Sequence, residues 1–434
     1  MFNCKVLKLV VPMLMMTTMD SPKKAIAPLS LMVLLFNLSL QKHGMTKMSY
    51  IMMSDELSFW TLSLSLWLTL ILIFMKPNNL DKYNKLLFLM TTTLVLTFTT
   101  WNFMMFYFMF ELSMILILII IMVWGYQPER VEAMLFMIVM TVMVSLPFLL
   151  GMMNNVNNLS FWMMGSLELS IWEYTSFMVV FMMKMPTMLL HMWLPKVHVE
   201  SPIQGSMILA SILLKLGGYG LIRTLQIAKP FNMKFAFLII SFGLWTTLMV
   251  SLTCLVQTDL KTLIAYSSIV HMTMTFAAII TNKSKGITGS LAIMLGHGMC
   301  SSGLFFTANL LYKHSKSRSV IMNKGVLFSS PMCAMIWFML CMGNAPMPPS
   351  VNVLGEFLSF KSLTDWSALS FLIMPPIIFT SSFYSIYLFY LPIHSNYTKL
   401  IKKVNILTPK SINITLMHVT PMIIIMIKPQ LIMI

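Results

Sequence analysis

Residues 102–123 of the chain read NFMMFYFMFELSMILILIIIMV, an apolar run that contains a single charged residue, Glu111. A helix needs roughly 20 apolar residues to cross the hydrocarbon core of a bilayer. Trp101 and Trp124 bracket the run, as aromatic residues at membrane interfaces often do. The stretch is therefore predicted to be a transmembrane helix with an ionisable side chain near its centre.

The rest of the chain has the same character. Of its 434 residues, 58% are hydrophobic and only 10% are charged, whereas about a quarter of the residues in soluble domains are charged. In lipid, every backbone polar group must be satisfied within the protein, so the sequence predicts an all-α integral membrane protein of about 14 transmembrane helices. The predicted spans are 5–18, 24–41, 57–75, 85–100, 102–123, 131–153, 173–192, 204–226, 235–256, 262–281, 287–311, 326–345, 350–363, 368–390 and 414–430, of which some are halves of one broken helix.

The charge balance is basic, with 29 Lys and Arg against 13 Asp and Glu. In a soluble protein this excess would favour nucleic-acid binding. Here the basic residues lie mostly in short gaps between apolar runs, where they meet anionic lipid headgroups and help to set topology. Membrane lipids are therefore predicted as partners, and nucleic acid is not.

The sequence contains no recognisable motif for a metal or a cofactor. None of the five cysteines forms a CxxC pair, and no nucleotide-binding fingerprint is present. The chain is therefore predicted to bind no metal and no redox cofactor of its own.

Proline interrupts two of the apolar runs, one in each half of the chain. The first break extends from Lys184 to Pro195, and the second from Asn344 to Pro349. Paired broken helices at corresponding positions are typical of transporters built from inverted repeats, with a site at mid-membrane depth. The chain is predicted to be one membrane domain, 1–434, divided into N-terminal helices (1–80), a first repeat (85–226), a second repeat (235–390) and a C-terminal segment with the last helix (391–434).

Four ionisable residues lie well inside apolar sequence: Glu111, Lys184, Lys215 and Glu356. Each costs roughly 2.5–3.5 kcal/mol to place at the centre of a membrane helix. Inert ion pairs between helices are the alternative, but replacing a buried pair by apolar residues is often neutral or stabilising. Two Glu and two Lys whose contacts form and break can take up a proton on one side and release it on the other. These residues therefore predict the transport of charge, most simply of protons.

Histidine can relay protons near neutral pH. His191, His198, His271 and His297 lie in or beside apolar segments, where an ordinary packing role is the alternative for each. The other histidines fall in or near polar segments and are predicted to lie outside the route; they are His43, His314, His394 and His418.

Several stretches carry a resemblance to a known family. They are WGYQPER (124–130), LHMWLPK (190–196), VHVESP (197–202), LLKLGGYG (213–220), QTDLK (257–261), IAYSS (264–268) and LGE (354–356). In these stretches the chain resembles the subunit 4 family of mitochondrial NADH:ubiquinone oxidoreductase (complex I), whose members are antiporter-like, proton-translocating subunits. The resemblance extends over roughly residues 85 to 390.

The resemblance implies a role for each buried charge. Glu111 and Lys184 would form the buried pair of the first half-channel, Lys215 the central relay, and Glu356 the end of the second half-channel. The polar axis that joins them would contain His191, His271 and His297. The implied fold has two inverted antiporter-like repeats with broken helices.

The resemblance also implies proton translocation across the mitochondrial inner membrane, coupled to electron transfer from NADH to ubiquinone. NADH, FMN, iron–sulfur clusters and ubiquinone would bind to partner subunits, and the neighbours would be other membrane-arm subunits of complex I. The absence of a transit peptide and the 49 Met residues favour synthesis inside the organelle. The alternatives are a cation/proton antiporter subunit of the same fold and a structural scaffold without proton flux.

Overall fold

The computed structural model describes residues 47–48, 53–75, 81–125, 127–154, 169–394 and 408–431. The predicted spans 5–18 and 24–41 lie outside these residues. Each predicted span from 57–75 onward overlaps one or two helices, although residues 185–192 of the span 173–192 lie beyond the end of a helix. Nine helices of the described ranges are long and apolar enough to cross a membrane. The fold is therefore almost entirely helical, as predicted, and the count of about 14 spans stays a prediction.

The described elements begin with two short antiparallel strands, β1 (Lys47–Met48) and β2 (Met53–Ser54), in which Lys47 pairs with Ser54. The helices before the first break are α1 (Glu56–Phe74), α2 (Asp81–Thr99), α3 (Phe103–Trp124) and α4 (Arg130–Met153). The middle of the chain forms α5 (Ile171–Lys184), α6 (Trp193–Glu200), α7 (Ile203–Ile227), α8 (Lys229–Val256), α9 (Leu260–Ile280) and α10 (Ser284–Ser315). The last helices are α11 (Val326–Ser329), α12 (Pro331–Asn344), α13 (Val351–Thr364), α14 (Ser370–His394) and α15 (Pro409–Ile427).

Both predicted helix breaks are confirmed. Helix α5 ends at Lys184 and α6 begins at Trp193, while α12 ends at Asn344 and α13 begins at Val351. Proline lacks the N–H group that would continue the hydrogen-bond ladder, so the helices cannot run through these segments. In the first break, Leu189 adopts a φ of 73°, in the left-handed region that non-glycine residues rarely occupy.

The centre of the bundle consists of α7, α9 and α10. The apolar lengths of α7 and α10 are wholly buried and that of α9 almost so, whereas most of α4 and α15 faces outward. Small residues permit the closest contacts, since a Cβ atom added at Gly355 of α13 would lie 2.7 Å from the Ile293 nitrogen of α10. This approach fixes the neighbouring residue, Glu356, against the centre of the bundle.

Candidate functional site

Lys215 lies on α7 two residues after the end of a π-helical turn, Leu209–Leu213. Its side chain is 2% exposed, and Nζ donates a hydrogen bond of 2.6 Å to the Ala210 carbonyl oxygen. The same Nζ lies 2.9 Å from Nδ1 of His297 on α10. π-Helical turns within α-helices occur frequently at functional sites, and this one places a backbone acceptor beside a buried ammonium group.

Two histidines continue from Lys215 toward the second broken helix. The ring centroids of His297 and His271 are 5.3 Å apart. Nδ1 of His271, on α9, lies 3.3 Å from a carboxylate oxygen of Glu356 on α13. The structure therefore brings four of the predicted residues into one buried row, Lys215–His297–His271–Glu356, which crosses four helices and is called the central row below.

Tyr384 on α14 is a member of this environment that the sequence did not single out. Its hydroxyl oxygen lies 3.4 Å from Nε2 of His271, and the side chain is fully buried. Both ring nitrogens of His271 thus have polar neighbours, one acidic and one phenolic. A tyrosine within an apolar run carries no charge, so nothing in its local sequence distinguished it from a packing residue.

Lys184 and Glu111 lie apart from the central row. Lys184 is the last residue of α5 and is buried, with Nζ placed 4.5 Å from the ring centroid of Phe110. The Glu111 charge acts on Lys184, but neither Lys184 Nζ nor Glu111 Oε1 has a hydrogen-bond partner within the described residues. The pair that the resemblance implies therefore has no hydrogen bond between its two side chains, and the Phe110 ring is the near neighbour of the ammonium group.

The Lys184 end of α5 packs directly on α7. A Cβ atom added at Gly217 would lie 3.0 Å from the Lys184 Cβ. Gly217 is two residues beyond Lys215, so the end of the first broken helix lies against the part of α7 that carries the central lysine. The close approach depends on glycine, because a side chain there would separate the two helices.

His191 lies in the first break and not in the central row. Its ring is partly exposed and packs against Tyr266 with a centroid distance of 6.5 Å. Its Nδ1 has no hydrogen-bond partner among the described residues. The predicted relay role of His191 therefore lacks the direct contacts that His271 and His297 have.

His198 is a second buried histidine close to the row. It is fully buried on α6 and stacks on Phe305, with centroids 4.8 Å apart and rings 7° from parallel. Neither ring nitrogen has a hydrogen-bond partner in the part of the chain that the structure describes. The charges of Lys215 and Lys261 both act on this ring. His198 was considered from the sequence but not selected; its place beside a proline-interrupted helix was the available signal.

His418 is buried but lies outside the central row. Its ring is fully buried on α15, where Nδ1 lies 2.8 Å from the Ile414 carbonyl oxygen. The residue falls within the predicted span 414–430, and α15 packs against α10, with the His418 ring 6.4 Å from that of Phe306. Packing, not local polarity, thus decided its burial.

Two cations hold the carboxyl end of α6. Lys261 Nζ donates to the carbonyl oxygens of Val199 (3.3 Å) and Ser201 (3.4 Å), and Arg318 Nη1 donates to Val199 at 3.4 Å. Cations stabilise a helix C-terminus because they offset its partial negative charge. The contacts fix α6, and with it His198, against α9.

The central row has the chemistry of a proton relay. Imidazole accepts a proton at one nitrogen and donates at the other, while an ammonium group and a carboxylate can terminate the row as donor and acceptor. The two imidazole rings do not form a hydrogen bond directly, so transfer between them requires ring rotation or a bridging water. The arrangement can move a proton between Lys215 and Glu356 without exposing either residue to lipid.

Comparison with known proteins gives a consistent family assignment. The family model described as NADH:quinone oxidoreductase/Mrp antiporter, TM, matches residues 100–383. NADH-ubiquinone oxidoreductase chain 4 of Ceratitis capitata is 39% identical over 352 residues, 79% of each chain. The protein of the same name from Squalus acanthias is 34% identical over 454 residues and covers 98% of this chain and 99% of its own length.

Solved structures share the fold over nearly the whole chain. A chain of respiratory complex I from Thermus thermophilus superposes with a TM-score of 0.88 at 20% identity, covering 99% of this chain and 96% of that one. A chain of the Mrp complex from Dietzia sp. superposes with a TM-score of 0.84 at 14% identity, covering 99% and 95%. At these identities the likeness establishes the antiporter-like fold. Together with the family match and the identity to the relatives, it shows that the chain belongs to the NADH:quinone oxidoreductase/Mrp antiporter family of membrane proteins.

Proposed function

We propose that the chain is a proton-translocating membrane-arm subunit of an NADH:ubiquinone oxidoreductase in the mitochondrial inner membrane. The names of the relatives from Ceratitis capitata and Squalus acanthias support the assignment to this enzyme. Neighbouring antiporter-like subunits and membrane lipids are the partners that this function requires. The chain is then part of an enzyme but contributes transport and not redox chemistry.

The observation that carries the proposal is the buried contact series from Lys215 to Glu356. Two charged residues and two histidines occupy the interior of the bundle. Ionisable residues are costly to bury there, so they are usually functional. Lys215 is the central relay, His297 and His271 transfer the proton, and Glu356 is the terminal residue of the second half-channel. Because His191 lies outside this row, any relay role of His191 belongs to the first half-channel.

Glu111 and Lys184 are the ionisable groups of that first half-channel. The Glu111 charge acts on Lys184, and the Lys184 end of α5 packs on α7 beside Lys215. A change in the charge of this pair therefore reaches the central lysine through a short stretch of protein. The repeats at 85–226 and 235–390 would then act as the two halves of one route.

The energy for transport comes from outside the chain. Moving one charge against the membrane potential requires about 2.3 kcal/mol per 100 mV. Electron transfer from NADH through FMN and iron–sulfur clusters to ubiquinone in partner subunits supplies this work. It reaches the chain as a conformational or electrostatic signal that alters the charges of the row.

The test is Lys215→Ala in the assembled complex, reconstituted into vesicles, with pumped protons counted per NADH oxidised. Fewer protons per NADH with normal assembly are expected, because the row loses its central donor. Lys285→Ala is the matched control, since Lys285 lies on the same bundle with its side chain 47% exposed. Unchanged stoichiometry in Lys215→Ala would favour a scaffold, and sodium-dependent proton flux without NADH would favour a cation/proton antiporter.

A further inference from the structure

A second buried charged group lies on α7, outside the proposed proton row. Arg223 Nη1 forms an ion pair of 2.7 Å with Asp55 Oδ2 at the start of α1, and the two side chains are 4% and 16% exposed. A buried ion pair seldom adds net stability over an apolar pair of the same size. Its position on the helix that carries Lys215 raises the question of what the guanidinium group controls.

Arg223 is linked to Tyr219 by a hydrogen bond of fixed direction. Arg223 Nη2 donates to the Tyr219 hydroxyl oxygen at 3.3 Å, and that hydroxyl donates to the Phe98 carbonyl oxygen of α2 at 3.1 Å. The Tyr219 ring packs edge-on against the Phe98 ring, with centroids 5.2 Å apart. The phenol is thus held on both sides by α7 and α2.

This group lies between Lys215 and one surface of the protein. Lys215, Tyr219 and Arg223 are spaced four residues apart and share one face of α7, so the outermost two are roughly 12 Å apart along the helix axis. At the inner end, a narrow cavity is lined by Lys215, Phe98 and Thr61. At the outer end, Glu56 and Gln226 are exposed. The face therefore leads from the buried lysine to the surface.

A hydroxyl group conducts protons only if it can accept one proton and release another. The single hydrogen of Tyr219 is directed to a carbonyl oxygen, and its lone pair receives a hydrogen bond from a guanidinium group. Arginine is always protonated in proteins and has no acceptor, so it can take no proton from Tyr219. The hydrogen bonds run from Arg223, which only donates, through the Tyr219 hydroxyl to the Phe98 carbonyl oxygen, which only accepts, so their direction cannot reverse.

We propose that Arg223, anchored by Asp55, is a positioning residue that locks the Tyr219 hydroxyl and insulates Lys215 from the adjacent membrane surface. The inference rests on the proposed function, in which Lys215 carries protons. A pump needs such insulation, because a proton that escapes from the central lysine to the wrong side dissipates the gradient. Asp55 supplies the counter-charge that permits burial of the guanidinium, and its bond to Nη1 leaves Nη2 directed toward the Tyr219 hydroxyl.

The experiment measures passive proton leak in vesicles that contain the assembled complex, without NADH and with the membrane potential clamped. Arg223→Gln is expected to raise the decay rate of an imposed pH gradient severalfold, because the shorter, neutral side chain leaves the Tyr219 lone pair free to accept a proton. Arg223→Lys keeps a charged donor and is expected to stay close to the unmodified complex. Adding Tyr219→Phe to Arg223→Gln removes the conducting hydroxyl and is expected to abolish the extra leak.

An unchanged leak in assembled Arg223→Gln complex would overturn the proposal, as would extra leak in Tyr219→Phe alone. A merely structural role of Arg223 predicts poor assembly without the rescue by Tyr219→Phe. If Arg223→Gln does not assemble, Asp55→Asn serves instead, because it releases the guanidinium. This variant is expected to produce a smaller leak, which adding Tyr219→Phe also removes. The absence of a leak in Asp55→Asn would equally overturn the proposal. The leak is measured without NADH, so its result is separable from that of the pumping test. If Lys215→Ala loses pumping and the Arg223 variant shows no leak, the proposed function stands and only the insulating role of Arg223 is refuted.

Discussion

Lys215 Nζ on α7 and His297 Nδ1 on α10 lie 2.9 Å apart, although 82 residues separate them in sequence. Both residues are buried, and Lys215 Nζ also donates a hydrogen bond to the Ala210 carbonyl oxygen. The contact joins α7 and α10 in the interior of the bundle. A charge that arrives at Lys215 therefore has an imidazole ring as its nearest exit toward Glu356.

Replacement of His297 by Gln should impair pumping. The amide cannot relay a proton, and loss of an acid–base group slows transfer by typically about 10²-fold or more. The expected result is fewer protons pumped per NADH in reconstituted complex of normal abundance. His418→Gln is the matched control, because His418 is equally buried but lies on α15, away from the row. An equal loss in both variants would contradict a specific role of His297.

Replacement of Tyr384 by Phe should have a smaller effect. The hydroxyl lies 3.4 Å from His271 Nε2, and a single hydrogen bond contributes about 1 kcal/mol, or roughly a fivefold change in an equilibrium. The pumping rate is expected to fall by about that factor, with assembly retained. Tyr387→Phe on the same helix is the control and should leave the rate unchanged. If Tyr384→Phe pumps as fast as the unmodified complex, the Tyr384 hydroxyl has no role in the site.

Replacement of Glu111 by Gln should separate function from stability. Neither Glu111 Oε1 nor Lys184 Nζ has a hydrogen-bond partner in the described structure, so the neutral analogue breaks no bond between them and should change the free energy of unfolding by less than about 1 kcal/mol. Protons pumped per NADH should nevertheless fall, because the charge that acts on Lys184 is lost. Glu132→Gln is the control, since that carboxylate is 69% exposed. An unchanged number of protons pumped per NADH in the Glu111 variant would show that the Glu111 charge is not needed for pumping.

Replacement of Gly220 by Ala should destabilise the bundle. A Cβ atom there would lie 2.3 Å from a ring carbon of Phe181, so either this buried ring must move or α5 and α7 must separate. Overpacking of this kind costs about 1–3 kcal/mol and should lower the amount of assembled complex. Gly243→Ala is the matched control, because its nearest neighbour, the Ala277 Cβ, would lie at an ordinary 3.4 Å. Equal abundance of the two variants would show that Phe181 moves aside freely.

Some features of the site could be predicted because their cause is local. A charged residue in an apolar run is costly wherever the helix lies, so Lys184, Lys215 and Glu356 could be selected without knowledge of their neighbours. Glu111 was selected in the same way. Proline similarly ends a helix by lacking an N–H group, which placed both breaks.

Other features depended on neighbours distant in the chain. Tyr384 lies 113 residues from His271, and its local sequence is that of any packing tyrosine. His418 appeared to lie in a polar segment until α15 was placed against α10. Asp55 could be located at the end of a span, but its bond to Arg223 requires α1 and α7 to be adjacent.

The sequence by itself determined the membrane location, the helical class, the broken helices and most of the costly charges. These follow from hydrophobicity, backbone hydrogen bonding and the insertion cost of ions, which act over one helix at a time. Only the tertiary structure decided the order of the central row, the relation of Glu111 to Lys184 and the lock on Tyr219. Such contacts depend on how closely the helices approach one another. Gly217 and Gly355 permit a close approach because they have no side chain. A pattern of charge or hydrophobicity along the sequence does not show which glycines have this role.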